Sequence, residues 1–128
     1  MKLLLDTHTA LWLVNDYEKL SFKARDMLMD EMNTLYLSIV SVWEVAIKAS
    51  IGKLPGFSGG TRTLMAQIED MPIEILPISL RHTEAVEVLP FIHRDPFDRI
   101  LVATAQVDDM TILTADEYIF RYDVLAVW

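Results

Sequence analysis

Lys2-Leu3-Leu4-Leu5-Asp6-Thr7-His8-Thr9 is the stretch on which the fold turns. A short apolar run stops at a carboxylate, hydroxyl side chains follow, and a second apolar stretch carries Leu11, Trp12 and Val14. That order reads as a buried strand, a polar cap and a helix ending near Asn15. The pattern recurs along the chain. Residues 35–39 read as a second buried strand, and Ser41-Val42-Trp43-Glu44 opens a helix that carries Val45, Ala46, Ile47 and Ala49 before Gly52. This helix is apolar nearly all round, so it is expected to be well covered by its neighbours. Between these units, Ser21 caps a helix reaching about Met32, and Asn33-Thr34 makes the turn.

Residues 55–60 hold three of the four glycines and read as a loop. A helix over 61–69, a strand over 73–76 and a helix over 79–88, stopped by Pro90, come next. Asp95-Pro96-Phe97-Asp98 then opens a helix with proline at its favoured first position. Residues 111–114 read as a strand, 116–120 as a turn or short helix, and 124–127 as a closing strand. Strands alternating with helices imply a three-layer α/β sandwich around a mostly parallel central sheet, in one domain spanning residues 1–128.

Composition narrows the chemistry. With 52% hydrophobic residues the chain is too apolar for disorder, yet its longest apolar runs, 10–14 and 124–128, are only five residues. A membrane span, a secretory signal peptide and a disulfide scaffold are therefore not expected. The absence of cysteine removes zinc-thiolate sites, Fe–S clusters and thiol nucleophiles, leaving carboxylates, three histidines and hydroxyls. A formal charge of −8 argues against a simple nucleic-acid-binding module. It leaves open an enzyme that reaches phosphate through a bound cation.

In open parallel sheets the active crevice lies beyond the carboxyl ends of the strands. Acids stand there repeatedly: Asp6 after the first strand, Glu44 in the first turn of the helix after the second, and Asp116 after the strand at 111–114, while Asp95 and Asp98 open the preceding helix. Converging carboxylates repel one another, and burial makes that worse unless some hold protons or a cation joins them. An oxygen-only donor set suits a hard divalent ion, Mg²⁺ or Mn²⁺. Such a site can activate water for hydrolysis of a phosphodiester.

Each acid also has a plainer use. Asp6 can cap the following helix, Glu44 can form a capping box with Ser41 or pair with Lys48, Asp95 reads as the cap before Pro96, and Asp116 can end a strand in a turn. His8 and His93 border the crevice and read as ordinary exposed or hydrogen-bonded histidines. Asp108, Asp109, Glu84 and Glu87 read as solvent-facing. Arg94, Arg99 and Lys48 are the basic groups nearest the acids, placed either to steer a phosphate backbone or to form ion pairs with those acids.

Leu3-Leu4-Leu5-Asp6-Thr7-His8, Ser41-Val42-Trp43-Glu44-Val45-Ala46, the block from His93-Arg94-Asp95-Pro96-Phe97-Asp98 through Ala105, and Ile112-Leu113-Thr114-Ala115-Asp116 together resemble the PIN-domain proteins, and most nearly the VapC-type toxins of toxin–antitoxin pairs. The resemblance runs from the first residue to the final strand, although residues 52–71 carry no family signature. It implies a Mg²⁺- or Mn²⁺-dependent endoribonuclease, cytoplasmic, often dimeric and inhibited by a small cognate antitoxin. The family's acidic quartet falls on Asp6, Glu44, Asp98 and Asp116, with Asp95 a second candidate in the same block. Thr114 falls where the family often has a small hydroxyl residue near the metal. On this reading Asp6, Asp98 and Asp116 hold the metal, and Glu44 orients or deprotonates the attacking water.

Other uses of strand-end acids fit less well. A phosphotransfer receiver wants an acidic pair after the first strand and a late lysine, but Asp6 stands alone and no lysine follows Lys53. A haloacid-dehalogenase-like phosphatase wants a second aspartate where His8 stands. A noncatalytic binding module on a similar fold would show no affinity for Mg²⁺ or Mn²⁺. The mean hydropathy is positive, and seven methionines with three tryptophans point to apolar surface left for partners, a homodimer or a partner helix along residues 12–32.

Overall fold

A computed structural model of the chain describes residues 1–54 and 56–128. The first residue of the loop expected at 55–60 lies outside the described residues. The described elements run β1 (Lys2–Leu5), α1 (Thr7–Asn15), α2 (Phe22–Met29), β2 (Thr34–Ser38), α3 (Ile39–Ser50), α4 (Thr61–Ile68), β3 (Ile73–Leu76), α5 (Leu80–Glu87), α6 (Pro96–Asp108), β4 (Thr111–Leu113) and β5 (Ala126–Val127). Short 3₁₀ turns occupy Tyr17–Lys19 and Ile119–Arg121.

The five strands form one sheet in the order β3-β2-β1-β4-β5, and every pairing is parallel. β1 is central because its three leucines can be buried on both faces. Leu3 and Leu5 pack on one side with α1, α2, α3 and α4, while Leu4 packs on the other with α6 and the segment around Ile119 and Tyr122. All three leucines are fully buried, which is why β1 reads as an unbroken apolar run rather than an alternating one. Each contributes roughly 1.5–3 kcal/mol by leaving water.

β1 also marks the place where chain order reverses. It pairs with β2 on one side, Leu3 opposite Leu35, and with β4 on the other, Leu3 opposite Thr111. A crevice therefore opens beyond Leu5, between the ends of β1 and β4, with the N-termini of α1 and α6 nearby.

Local capping chemistry moves several element ends from their expected places. Ser38, not Ser41, opens α3, its Oγ accepting from the Val40 N–H at 3.1 Å. The helix thus starts at Ile39, directly from the strand, and Glu44 lies in its second turn instead of its first. The expected capping box between Ser41 and Glu44 does not form. α2 stops at Met29 because Asp30 turns extended and its side chain accepts from the Met32 N–H. Nor is α3 covered all round: Trp43 is 59% exposed and Ile39 is also exposed. Among the described residues no helix is long and apolar enough to cross a membrane.

Candidate active site

Asp6 serves two purposes at once. It is the N-cap of α1, Oδ1 accepting from the Thr9 N–H at 2.7 Å, and its Oδ2 accepts from the Thr114 hydroxyl beyond β4. The backbone N–H of Asp6 still donates to Leu113 O, so sheet pairing carries the carboxylate right to the crevice. Burial pushes this carboxyl above its ordinary value, against the pull of the Thr114 and Thr9 hydrogen bonds and the charge of His8.

Glu44 reaches the same region from the second turn of α3. Thr7 Oγ1 donates to Glu44 Oε1 at 2.6 Å and shares a hydrogen bond with Ser41 Oγ, while Lys48 Nζ donates to Glu44 Oε2 at 2.5 Å. Both oxygens of this buried carboxylate are therefore engaged by the protein. Asp116 is also tied: Oδ1 accepts from the Tyr118 N–H at 2.9 Å, and Oδ2 accepts from His93 Nε2 at 2.8 Å. Thr114 joins the two ends, since its Oγ1 accepts from the Asp116 N–H while donating to Asp6.

Asp98 differs from these three. It stands third in α6, after the cap made by Asp95, whose Oδ1 accepts from the Phe97 N–H at 2.8 Å, and after Pro96. Its side chain is only 17% exposed. Burial, followed by the charges of Asp95, Asp6, Asp116 and Glu44, raises its carboxyl from 3.8 to about 8. The four acids expected from the strand-end pattern, with Asp95 beside them, do come together. A cleft of about 210 Å³, lined by Asp6, His8, Trp12, Ala115 and Asp116, opens on two of them, Asp6 and Asp116.

His93, by sequence an ordinary exposed or hydrogen-bonded histidine at the border of the crevice, stands inside the cluster. Its Nε2 is 2.8 Å from Asp116 Oδ2 and 3.2 Å from Asp98 Oδ2. One ligand-type atom from each of His93, Asp98 and Asp116 lies within 4.8 Å of the others. The signal that could have revealed it was its place two residues before a capped Asp-Pro helix start, where a ring can accept the Asp95 N–H and turn over the helix N-terminus.

Arg99 moves the other way. Instead of steering phosphate or pairing with the acids it is buried, with NH1 donating to Pro90 O at 3.0 Å and to Tyr122 Oη at 3.3 Å. It holds the loop that carries His93, whose own N–H donates to the same Tyr122 oxygen at 2.7 Å. Asp108, expected to face solvent, accepts from His82 Nε2 at 2.8 Å, whereas Asp109, Glu84 and Glu87 are exposed. His8 is exposed, and so is Arg94. Lys48 pairs with Glu44 and, together with Lys19 and Lys53, lines a neighbouring cleft of about 300 Å³ that also contains Thr7, Trp12 and Phe57.

The donor set fits a hard divalent cation. Carboxylates from four parts of the chain approach one another, and Asp98 is raised first by its burial and then by the charges of those neighbours, a combination that a bound cation would relieve. Asp98, Asp116 and Asp6 are the residues that could hold such an ion.

The fold has solved counterparts. VapBC2 from Rickettsia felis, bound to a DNA fragment from its promoter, contains a chain that superposes with a TM-score of 0.74 at 15% identity, covering 99% of this chain and 98% of that one. For VapBC-1 from nontypeable Haemophilus influenzae the values are 0.68, 16%, 99% and 97%. For a toxin–antitoxin complex from Klebsiella pneumoniae they are 0.60, 20%, 98% and 95%. No curated protein matches the sequence. The PIN domain family model matches residues 3–125, nearly the whole chain. By that match, and with the parallel sheet and the likeness to VapBC chains alongside it, the chain belongs to the PIN domain family.

Proposed function

We propose that this chain is a Mg²⁺- or Mn²⁺-dependent endoribonuclease, the toxin of a toxin–antitoxin pair, acting in the cytoplasm as a single domain over residues 1–128. The observation that carries the reading is the convergence of Asp6, Glu44, Asp98 and Asp116 beyond β1, with Asp98 raised to about 8 first by burial and then by its acidic neighbours. A divalent ion bound there supplies a Lewis acid that lowers the pKa of water and offsets the charge developing on phosphorus. The rest of the work belongs to the protein. Asp98, Asp116 and Asp6 hold the ion. Thr114 keeps Asp6 and the backbone of Asp116 in register, and Thr7 with Lys48 fixes the Glu44 carboxylate that orients the attacking water.

RNA is the favoured substrate class because the local charge next to the acids is not that of the whole chain. Three of the five lysines, Lys19, Lys48 and Lys53, line the cleft beside Thr7, where they can meet the phosphates flanking the scissile one. The partner reading rests on uncovered apolar side chains. Phe22, Met29 and Met32 are 82%, 75% and 83% exposed on and just beyond α2, a surface suited to the apolar helix of a small antitoxin. Trp43, Phe97 and Ile100 line an apolar cleft between α3, α5 and α6, the surface for a second copy of the chain. Mg²⁺-dependent cleavage of RNA by the purified protein, set against Asp6→Asn, tests the reading. Equal activity in the two overturns it.

A further inference from the structure

His93 donates from its own Nε2–H to a carboxylate that the proposed function assigns to the metal, and the backbone decides which ring nitrogen carries the proton. Asp95 N–H donates to His93 Nδ1 at 3.1 Å. A backbone N–H can only donate, so Nδ1 is an acceptor and holds no hydrogen, and the ring proton belongs on Nε2. That nitrogen is the one 2.8 Å from Asp116 Oδ2 and 3.2 Å from Asp98 Oδ2. A nitrogen that carries a proton has no lone pair in the ring plane to give a cation. The proximity that makes His93 look like a third ligand therefore has a different meaning.

We propose that His93 is a positioning residue and not a metal ligand: its Nε2–H grips Asp116 Oδ2, so that Asp116, with Oδ1 held by the Tyr118 N–H, presents its remaining lone pairs to the ion in one orientation. The surrounding contacts are built for this. The His93 N–H donates to Tyr122 Oη, Arg99 pins both Tyr122 and Pro90 O, and the Tyr118 ring lies 5.2 Å from the imidazole. Backbone and aromatic contacts from the 89–95 loop, α6 and the 3₁₀ turn thus fix the ring's position and its tautomer. Residues that orient ligands from outside in this way typically change metal affinity about 10- to 100-fold when removed.

The inference rests on the metal-dependent reading for what Asp116 holds, but the wiring of the ring is tested separately. In full-length protein labelled with ¹⁵N-histidine, long-range ¹H–¹⁵N correlation without metal should show His93 with Nε2 protonated and Nδ1 bare; its signals are identified by their loss in His93→Gln. A proton on Nδ1 overturns the proposal. With Mn²⁺ bound to the wild-type protein, pulsed EPR should show no directly coordinated imidazole nitrogen, and such a coupling, lost in His93→Gln, makes His93 a ligand and overturns the proposal too. In Mn²⁺ titrations His93→Leu should bind about 10- to 100-fold more weakly, and His93→Gln, which keeps an N–H donor, should recover most of that loss. Equal affinity of His93→Leu and wild type removes the positioning role. If the wild type binds no Mn²⁺ at all, the metal-dependent reading itself fails and takes the positioning role with it, a result distinct from a wrong tautomer.

Discussion

His82 and His93 are wired alike and placed differently. Each ring accepts a backbone N–H at Nδ1, from Ser79 at 3.0 Å and from Asp95 at 3.1 Å, and each presents Nε2 to an aspartate oxygen at 2.8 Å. His82 completes the capping box that starts α5 and reaches Asp108 at the end of α6, so its hydrogen bond ties two helices of one layer. His93 reaches Asp116, which shares its surroundings with Asp6, Glu44, Asp95 and Asp98. The same donor stabilises a helix pair in one place and aims a carboxylate in the other. What the hydrogen bond is for depends on the charges around its acceptor, not on the histidine.

The largest effect that would sharpen this contrast is expected at the acids. Asp98→Asn should lower Mg²⁺-dependent RNA cleavage by more than about 100-fold, beyond what loss of an outside positioning residue costs, with the fold retained by circular dichroism. Next comes the division between the histidines. His82→Leu leaves the Ser79 N–H and the Asp108 carboxylate without their partner, so it should cost about 1–3 kcal/mol in denaturant unfolding. Cleavage and Mn²⁺ affinity should not change in that variant. A large drop in affinity there would break the comparison, because it would mean that both histidines serve the metal.

The pH dependence follows from Asp98. Its folded-state value, about 8, lies above the ordinary 3.8, so the folded state holds this proton more tightly than the unfolded chain does. The stability contribution is full below about pH 4 and is lost as pH rises toward 8. Thermal melts of metal-free protein should therefore show a falling Tm between pH 5 and 8, and Asp98→Asn should flatten the slope. A cation has to displace the same proton, so apparent Mn²⁺ affinity should rise by up to about tenfold per pH unit over that range. The smallest effect is expected from the lysine cleft. Lys53→Glu should raise KM for RNA and weaken its salt dependence by roughly one counterion, leaving kcat unchanged, as steady-state rates across a salt series would show.

How much was legible in the sequence varies with the range of the interactions involved. β1 was readable because Leu3, Leu4 and Leu5 need burial on both faces, and a parallel sheet provides it. The caps at Asp6, Ser21 and Asp95 are readable because each uses an N–H only two or three residues away, whereas Ser79, expected inside its helix, caps it instead. The start of α3 was misread since Ser38 and Ser41 are equally good caps by type, and only the end of the β2 ladder at Ser38 selects the first. For Arg99 neither expected use, steering phosphate or pairing with the acids, holds, because nothing local shows that its guanidinium turns inward to Pro90 O and Tyr122.

The sequence by itself determined the parallel α/β architecture, the family, and four acids that lie at or shortly after strand ends and helix starts. These are consequences of apolar patterning and of short-range capping, which act within a turn or a strand. Only the tertiary structure decided how the acids divide the work. Asp6, Glu44 and Asp116 have their carboxylates held by Thr114, Thr7, Lys48 and His93, and Asp98 takes up the strain of the shared charge. That division depends on burial and on Coulomb interactions among groups up to 110 residues apart in the chain, from Asp6 to Asp116, which no local pattern records.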